Sequence, residues 1–300
     1  MDASRCSLAV VLALCWLVWS VNRLTAADEP AAVDRTQAIR GSFATYDGEP
    51  RDKDGRVDVP RLISELAELR VNTYHWLIAH TSTDWDDLHR FLPAAREKGI
   101  RVWVCLLPPS ESPPRGKHFS EPFQLDYERW AVELAKLSVQ EPNLVAWSID
   151  DFTHNLDFFT PEKMQKILGP AREINAKLAF VPCTYFPKAT PKFAEQYRGL
   201  IDGLLFPYRH ESVKANLADA SLVESEVRKL KEIVGPAVPV IVDVYATAHS
   251  RLGDSTPAYV KEVMVSAKSF ADGVHVYCHQ RPGSEKYRIV KELFGEWAQH

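Results

Sequence analysis

Three aspartates have the chemistry and the setting of catalytic carboxyl groups. Asp150 and Asp151 directly follow the apolar segment 144–149, and Asp243 lies in a second apolar segment, 238–244. Such short apolar segments are typical of buried parallel strands, whose carboxyl ends can open onto a ligand. Hydrolysis of a glycosidic bond needs one protonated and one ionised carboxyl group. We therefore predict Asp150 or Asp151 as the acid and Asp243 as the nucleophile or base.

Aromatic, basic and acidic residues follow the ends of the other apolar segments. The faces of a sugar ring stack on aromatic side chains, while its hydroxyl groups bond to charged or amide groups. The longest predicted loop, the proline-rich segment 108–125, should form a wall or lid over the same face. The residues predicted to bind a sugar substrate are Tyr46, Asp47, His75, Trp76, Tyr185, Tyr208, Arg209, Tyr245, Tyr277 and His279.

Eight apolar, β-rich segments alternate with eight amphipathic ones along the chain. This number and order predict an α/β fold, a (β/α)8 TIM barrel, whose active site lies at the carboxyl ends of the strands. A doubly wound open sheet is the alternative, but no Gly-x-Gly-x-x-Gly or Gly-x-x-x-x-Gly-Lys turn follows any predicted strand. The predicted strands are 38–44, 71–78, 101–107, 144–150, 178–183, 203–206, 238–244 and 273–277. The predicted helices are 57–69, 85–98, 127–139, 161–175, 191–197, 218–233, 257–270 and 285–298.

Local patterns add detail to these elements. Threonine–proline pairs at 160–161, 190–191 and 256–257 predict helix starts, each with a capping hydroxyl before a proline in the first turn. The acidic cluster 84–87 is predicted as a solvated first helical turn. Alternation along the fourth strand predicts that Ala146, Ser148 and Asp150 face the barrel axis, and that Val145, Trp147 and Ile149 face the helices.

The amino-terminal segment has the composition of a secretory signal peptide. Arg5 precedes an apolar stretch, and Leu24-Thr25-Ala26-Ala27 offers small residues at a cleavage site. We therefore divide the chain into a signal peptide, residues 1–27, a linker, 28–37, and a single barrel domain, 38–300. This division predicts a secreted or periplasmic protein with no membrane association after cleavage. An uncleaved anchor is the alternative, although the apolar stretch is shorter than the roughly 18–20 residues of a spanning helix.

Charge and cysteine spacing exclude further classes of protein. The net charge is −4, with 36 Lys and Arg against 40 Asp and Glu, and no long basic run occurs, which argues against a nucleic-acid partner. The cysteines after the leader, Cys105, Cys183 and Cys278, lie in or beside apolar segments without paired spacing. They are predicted to be buried, with neither a disulfide framework nor a zinc site.

In this architecture the chain resembles the glycoside-hydrolase (β/α)8 barrels, particularly the clan with an acid/base on strand four and a nucleophile on strand seven. In motif the resemblance rests on Trp147-Ser148-Ile149-Asp150-Asp151 and Val242-Asp243-Val244-Tyr245. That clan ends strand four in Asn-Glu and uses Glu on strand seven, whereas this chain has Asp-Asp and Asp. The resemblance implies a glycosidase of carbohydrate metabolism, with an oligo- or polysaccharide substrate and no cofactor.

Two other functions fit the same residues. A metal-dependent hydrolase would use some of His75, His279, Asp150, Asp151 and Asp243 as ligands. The chain lacks the His-x-His and His-Glu-x-x-His patterns of such enzymes, so no metal is predicted. A non-catalytic carbohydrate-binding barrel is the third possibility, because a fold does not by itself imply activity.

Overall fold

The computed structural model describes residues 34–277 and 282–299. The predicted signal peptide, most of the linker, Cys278 and His279 lie outside these ranges. Within them, no helix is long and apolar enough to cross a membrane. The strands of the main sheet are β1 Ser42–Tyr46, β2 Thr73–Ile78, β3 Arg101–Leu106, β4 Leu144–Ile149, β5 Ala179–Phe180, β6 Leu204–Pro207, β7 Val240–Tyr245 and β8 Gly273–Tyr277. Ala248–His249 and Gly253–Asp254 pair as a separate two-stranded antiparallel sheet in the loop after β7. The helices are α1 Val59–Leu69, α2 Asp84–Glu97, α3 Tyr127–Gln140, α4 Pro161–Ile174, α5 Pro191–Gln196, α6 Val223–Val234, α7 Pro257–Phe270 and α8 Glu285–Trp297.

The eight strands form one curled parallel sheet in the order β5-β4-β3-β2-β1-β8-β7-β6. A parallel bridge between Cys183 and Leu205 joins the two ends of this order. There the Thr184 N–H donates to Leu205 O (2.7 Å), and the Leu205 N–H donates to Pro182 O (3.1 Å). With one helix after each strand, this is the arrangement of a TIM barrel, as predicted.

Two strands differ from the predicted bounds by more than two residues. Residues 37–41 form a turn, and β1 begins only at Ser42, after Gly41 with its left-handed φ of 63°. The side chain of Ile39 packs in the barrel interior with Trp103. The strand β5 is only two residues long and is soon followed by Pro182, which has no N–H to donate to a ladder.

The predicted facing of β4 is confirmed except at Val145. Ala146 packs in the interior cluster, whereas Trp147 and Ile149 pack in the larger core outside the sheet. The register between β3 and β4 shifts at this point, so Val145 is the extra residue of a β-bulge and contacts the interior cluster instead. Because the alternation resumes beyond the bulge, Ser148 faces inward, and Asp150 follows it at the carboxyl end.

Three helices begin directly after their predicted capping threonines. The hydroxyl groups of Thr160, Thr190 and Thr256 each accept a bond from the backbone N–H three residues later, as predicted.

The prediction of a solvated turn at 84–87 is wrong, because Asp84 and Asp87 are 1% and 0% exposed. They pair with Arg51 and Arg56, which lie in the loop between β1 and α1. These ion pairs hold the first turn of α2 against the β1–α1 loop.

Candidate active site

A cavity of about 370 Å³ opens at the carboxyl ends of the strands. Seven of the eight strand ends and the β3–α3 and β7–α7 loops contribute to it. A larger cavity, about 550 Å³, lies near the amino ends, where the buried acid Asp202 is already paired with Arg35 and Arg172. The residues lining the first cavity are Tyr46, Leu77, Glu111, Asp150, Asp151, His154, Tyr185, Pro207, Arg209, Asp243, Tyr245, Ala248, His249, Ser250, Arg251 and Tyr277.

The three predicted catalytic aspartates line this one cavity, at different depths. Asp150 is half-buried, and its Oδ1 accepts the backbone N–H of Asp151 at 2.9 Å. Asp243 lies at the floor and is only 2% exposed. Its Oδ2 accepts the hydroxyl of Tyr46 at 2.6 Å, and within the described residues its Oδ1 has no hydrogen-bond partner.

Burial and mutual repulsion favour the protonated forms of Asp150 and Asp243. Burial and the charge of Asp151 raise the pKa of Asp150 to about 6. Burial raises the pKa of Asp243 to about 7; the bond from Tyr46 lowers this pKa, and the charge of Asp150 raises it. Near neutral pH the cavity therefore holds carboxyl groups in both protonation states.

Asp151 has the opposite environment, although it is the direct neighbour of Asp150. Burial raises its pKa, but hydrogen bonds from His154 and Tyr185, the charge of His154 and the charge of Arg209 outweigh burial and lower it. Its Oδ1 accepts the Tyr185 hydroxyl and lies 3.5 Å from His154 Nδ1. The left-handed backbone of Asp151, with φ of 45°, turns the chain out of β4 and points successive carboxyl groups in different directions.

Glu111, which sequence reasoning missed, is a fourth carboxyl group in the cavity. It lies half-buried in the long β3–α3 loop, after Pro108 and Pro109. Burial, followed by the charges of Asp150 and Asp151, raises its pKa to about 8. The sequence predicted this loop as a wall, but no periodicity or spacing distinguishes Glu111 from the other acid of the loop, Glu121.

Five residues of the predicted sugar-binding set line the cavity. The rings of Tyr46 and Tyr277 lie 4.9 Å apart, and those of Tyr245 and Tyr277 lie 5.7 Å apart. The guanidinium of Arg209 lies 4.0 Å from the ring centroid of Tyr185 and pairs with the carboxylate of Glu211. These side chains combine aromatic faces with hydrogen-bonding groups.

Four other members of that set do not line the cavity. His75 lies in the barrel interior, where its Nε2 bonds to Ser148 Oγ at 2.8 Å, and burial lowers its pKa to about 3. Asp47 lies 2.9 Å from His80 Nε2. Trp76 and Tyr208 are buried outside the sheet, and each donates to a backbone carbonyl, of Asp84 and of Asp219 respectively. His279 is not among the described residues.

One group of side chains in this region has the geometry to hold a cation. Ligand atoms of Asp150, Asp151 and Cys183 lie within 4.8 Å of one another. A hydrogen bond between the Cys183 side chain and Asp150 lowers the pKa of that carboxyl group. Burial raises the pKa of the Cys183 thiol well above its ordinary value, so the thiol is protonated and is a poor metal ligand until it loses that proton.

Comparisons with solved structures show the fold. The chain matches a GH2 β-galacturonidase from Eisenbergiella tayi at 14% identity and a TM-score of 0.52, over 79% of this chain and 47% of that one. It matches a β-glucanase from Saccharophagus degradans at 11% identity and a TM-score of 0.55, over 90% and 97% of the two chains. It matches the PgaB glycoside hydrolase domain from Bordetella bronchiseptica at 10% identity and a TM-score of 0.51, over 86% and 98%.

The predicted resemblance to glycoside-hydrolase barrels is therefore confirmed at the level of the fold. The chain spans about half the length of the β-galacturonidase. No family model matches the sequence, and no curated protein matches it.

Proposed function

We propose that this protein is a secreted glycoside hydrolase that cleaves an oligo- or polysaccharide in the cavity at the carboxyl ends of the strands. The observation that carries the proposal is the meeting of Asp150, Asp151 and Asp243, with aromatic side chains, in one cavity of a barrel with this fold. Glycosidic cleavage needs paired carboxyl groups, and sugars bind to aromatic faces. Secretion rests on the composition of the leader.

The depth of each carboxyl group supports a division of roles. Asp150 is open to the cavity and ionises above about pH 6, so we assign it as the nucleophile or base. Asp243 is nearly enclosed and bonded to Tyr46, so from the floor it interacts with the charge of Asp150 rather than with the sugar. Asp151, held ionised by Tyr185 and His154, would accept hydrogen bonds from substrate hydroxyl groups.

The test is an Asp150→Asn variant. Wild-type protein should release reducing sugar from at least one member of a panel of neutral, acidic and amino-sugar glycans. The variant should lose about 10²–10⁴-fold in kcat, the usual contribution of an acid or base. Asp157→Asn is the matched control, because Asp157 is an exposed carboxyl group of the same β4–α4 segment that does not line the cavity.

Two results would reject the proposal. One is wild-type activity that survives in Asp150→Asn, and the other is sugar binding without product after long incubation, which would favour a non-catalytic barrel. Proton NMR of the first-formed anomer reports the stereochemistry, since retention corresponds to carboxyl groups about 5–5.5 Å apart and inversion to about 6.5–9.5 Å.

A metal-dependent hydrolase is the second candidate, and the clustering of Asp150, Asp151 and Cys183 favours it. A chelator separates the two mechanisms. Activity that survives chelation supports the carboxyl mechanism. Activity that disappears with chelation and returns with a divalent cation supports the metal-dependent one.

A further inference from the structure

The proposed roles leave one requirement of the reaction without a residue. The leaving oxygen of a glycoside must receive a proton as its bond to carbon breaks. Asp151 is held ionised by its partners, and Asp150 must be ionised to attack. Asp243 lies at the floor, is 2% exposed and is bonded to Tyr46. Of the acids lining the cavity, this leaves Glu111.

Hydrogen bonds connect the loop of Glu111 directly to the loop of Asp151. The Asn155 side chain accepts the Ser110 N–H at 3.1 Å and donates to Ser110 Oγ at 2.8 Å. The same amide donates to Asp151 O at 2.9 Å. Because Asn155 bonds to both segments, the residue before Glu111 is held at a fixed position relative to the aspartates.

Close packing on the other side of the loop also fixes the backbone of Glu111. A Cβ atom at Gly116 would lie 1.4 Å from Glu111 O, so only glycine fits there. The Ser112 hydroxyl donates to Pro108 O at 3.0 Å and the Glu111 N–H to the same oxygen at 3.1 Å. The loop is thus a packed turn, which suits the positioning of a catalytic group.

We infer that Glu111 is the catalytic proton donor, which delivers its carboxyl proton to the leaving oxygen while Asp150 acts at the anomeric carbon. The inference rests on the proposed function. In the first step the C–O bond to the leaving group breaks, its electron pair takes the proton of Glu111, and the anomeric carbon bonds to Asp150 or to a water deprotonated by Asp150. In the covalent route, ionised Glu111 then takes a proton from water, whose oxygen bonds to the anomeric carbon as the bond to Asp150 breaks, so Glu111 is protonated again. In the direct route, the proton that Asp150 takes from water passes to the solvent, and Glu111 regains a proton from the solvent.

The electrostatics of the cavity support this role. The raised pKa of about 8 keeps Glu111 protonated at neutral pH. Because an acid must be protonated and a base ionised, activity should fall as pH rises through about 8 and as it falls through about 6. The other titratable or charged groups that line the same cavity are Tyr46, Asp151, His154, Tyr185, Arg209, Asp243, Tyr245, His249, Arg251 and Tyr277. Burial, the charge of Asp150 and, to a smaller extent, the charge of Glu111 raise the pKa of the Cys105 thiol.

The test compares two substrates of the same sugar in a Glu111→Gln variant. An alkyl glycoside needs a proton on its leaving oxygen, whereas a dinitrophenyl glycoside does not. We expect kcat/KM, which reports the first bond-breaking step, to fall about 10²–10⁴-fold for the alkyl glycoside. We expect kcat/KM for the dinitrophenyl glycoside to change less than fivefold, and the alkaline limb of the pH profile to disappear. Glu121→Gln, in the same loop but away from the cavity, is the matched control and should behave as wild type.

The outcomes separate this inference from the proposed function. Equal losses on both substrates would overturn the role of Glu111 as a donor and indicate a structural role, as would full activity on the alkyl glycoside. In both cases an inactive Asp150→Asn variant would leave the proposed function standing. A wild-type protein without turnover on any glycan would overturn both. A carbon-13 NMR titration gives a readout independent of activity, since the pKa of Glu111 should fall in Asp150→Asn.

Discussion

The adjacent residues Asp150 and Asp151 have opposite electrostatic environments. Burial and then repulsion by Asp151 raise the pKa of Asp150, whereas at Asp151 hydrogen bonds from His154 and Tyr185 outweigh burial and lower the pKa. The left-handed backbone at Asp151 makes this possible, because it sends the two carboxyl groups toward different partners. One short sequence motif thus provides one carboxyl group with a lowered pKa and one whose pKa is raised to about 6.

At the residue scale, Asp243 should lower the stability of the protein at neutral and higher pH. Its pKa of about 7 in the folded protein exceeds its ordinary value of 3.8, so the folded state binds the proton more tightly, and stability is lost as pH rises from about 4 through 7. The difference corresponds to about 4 kcal/mol at most. Asp243→Asn should therefore raise the free energy of unfolding in urea at pH 8 by a few kcal/mol and change it little at pH 4.

A matched control for Asp243→Asn is Asp157→Asn, whose exposed carboxyl group should give the same stability as wild type at both values of pH. An Asp243→Asn variant that is less stable than wild type at pH 8 would contradict the assignment of Asp243 as a group that burial makes costly to ionise.

At the element scale, the β3–α3 loop has to keep its backbone packing for the cavity to work. In Gly116→Ala the new Cβ would meet the backbone oxygen of Glu111, which no side-chain rotation can relieve, so the loop must shift. We expect kcat for the alkyl glycoside to fall at least tenfold, approaching the loss in Glu111→Gln, with an unchanged far-ultraviolet circular dichroism spectrum.

The control for the loop is Gly169→Ala in α4. A Cβ there meets nothing within 4 Å, so this variant should keep full activity and gain about 0.5–1 kcal/mol from the higher helix propensity of alanine. If Gly116→Ala had wild-type kcat, the loop would not position Glu111.

At the scale of the whole molecule, the barrel interior contains histidines that should make the fold sensitive to acid. His75 and His275 bond to Ser148 and Ser42 across the interior, and burial lowers both pKa values, that of His75 to about 3. The unfolded chain therefore binds their protons more tightly, so this contribution to stability is complete above about pH 6.5 and is lost as pH falls toward 3. The buried carboxyl groups of the cavity have the opposite effect on stability, because they destabilise the fold as pH rises rather than as it falls.

A comparison of unfolding free energies between pH 6.5 and 3 isolates the histidine contribution. In His75→Gln, the slope of the unfolding free energy against pH should correspond to about one proton fewer than in wild type, because glutamine does not titrate. His118→Gln removes an exposed histidine of the β3–α3 loop and should leave the slope as in wild type. Equal slopes in wild type and His75→Gln would show that His75 accepts a proton in the folded state.

Much of this architecture could be read from local patterns in the sequence. Apolar segments, helix periodicity and the Thr-Pro starts depend on neighbouring residues, and they predicted every strand and helix of the barrel to within a few residues. The errors arise where contacts with distant parts of the chain override the local pattern. Val145 is displaced by a bulge that needs the register of β3, and Asp84 and Asp87 are buried because Arg51 and Arg56 reach them from a distant loop.

The sequence by itself determined the strand–helix order and placed Asp150 and Asp151 at the end of β4 and Asp243 near the end of β7, because these depend on periodicities of two to four residues. Only the tertiary structure decided which side chains share the cavity. It brought in Glu111 from a loop without periodicity, placed His75 in the interior, and set the depth of Asp243. The physical reason is that burial, charge and hydrogen bonding, which fix protonation, are properties of neighbours in space rather than along the chain.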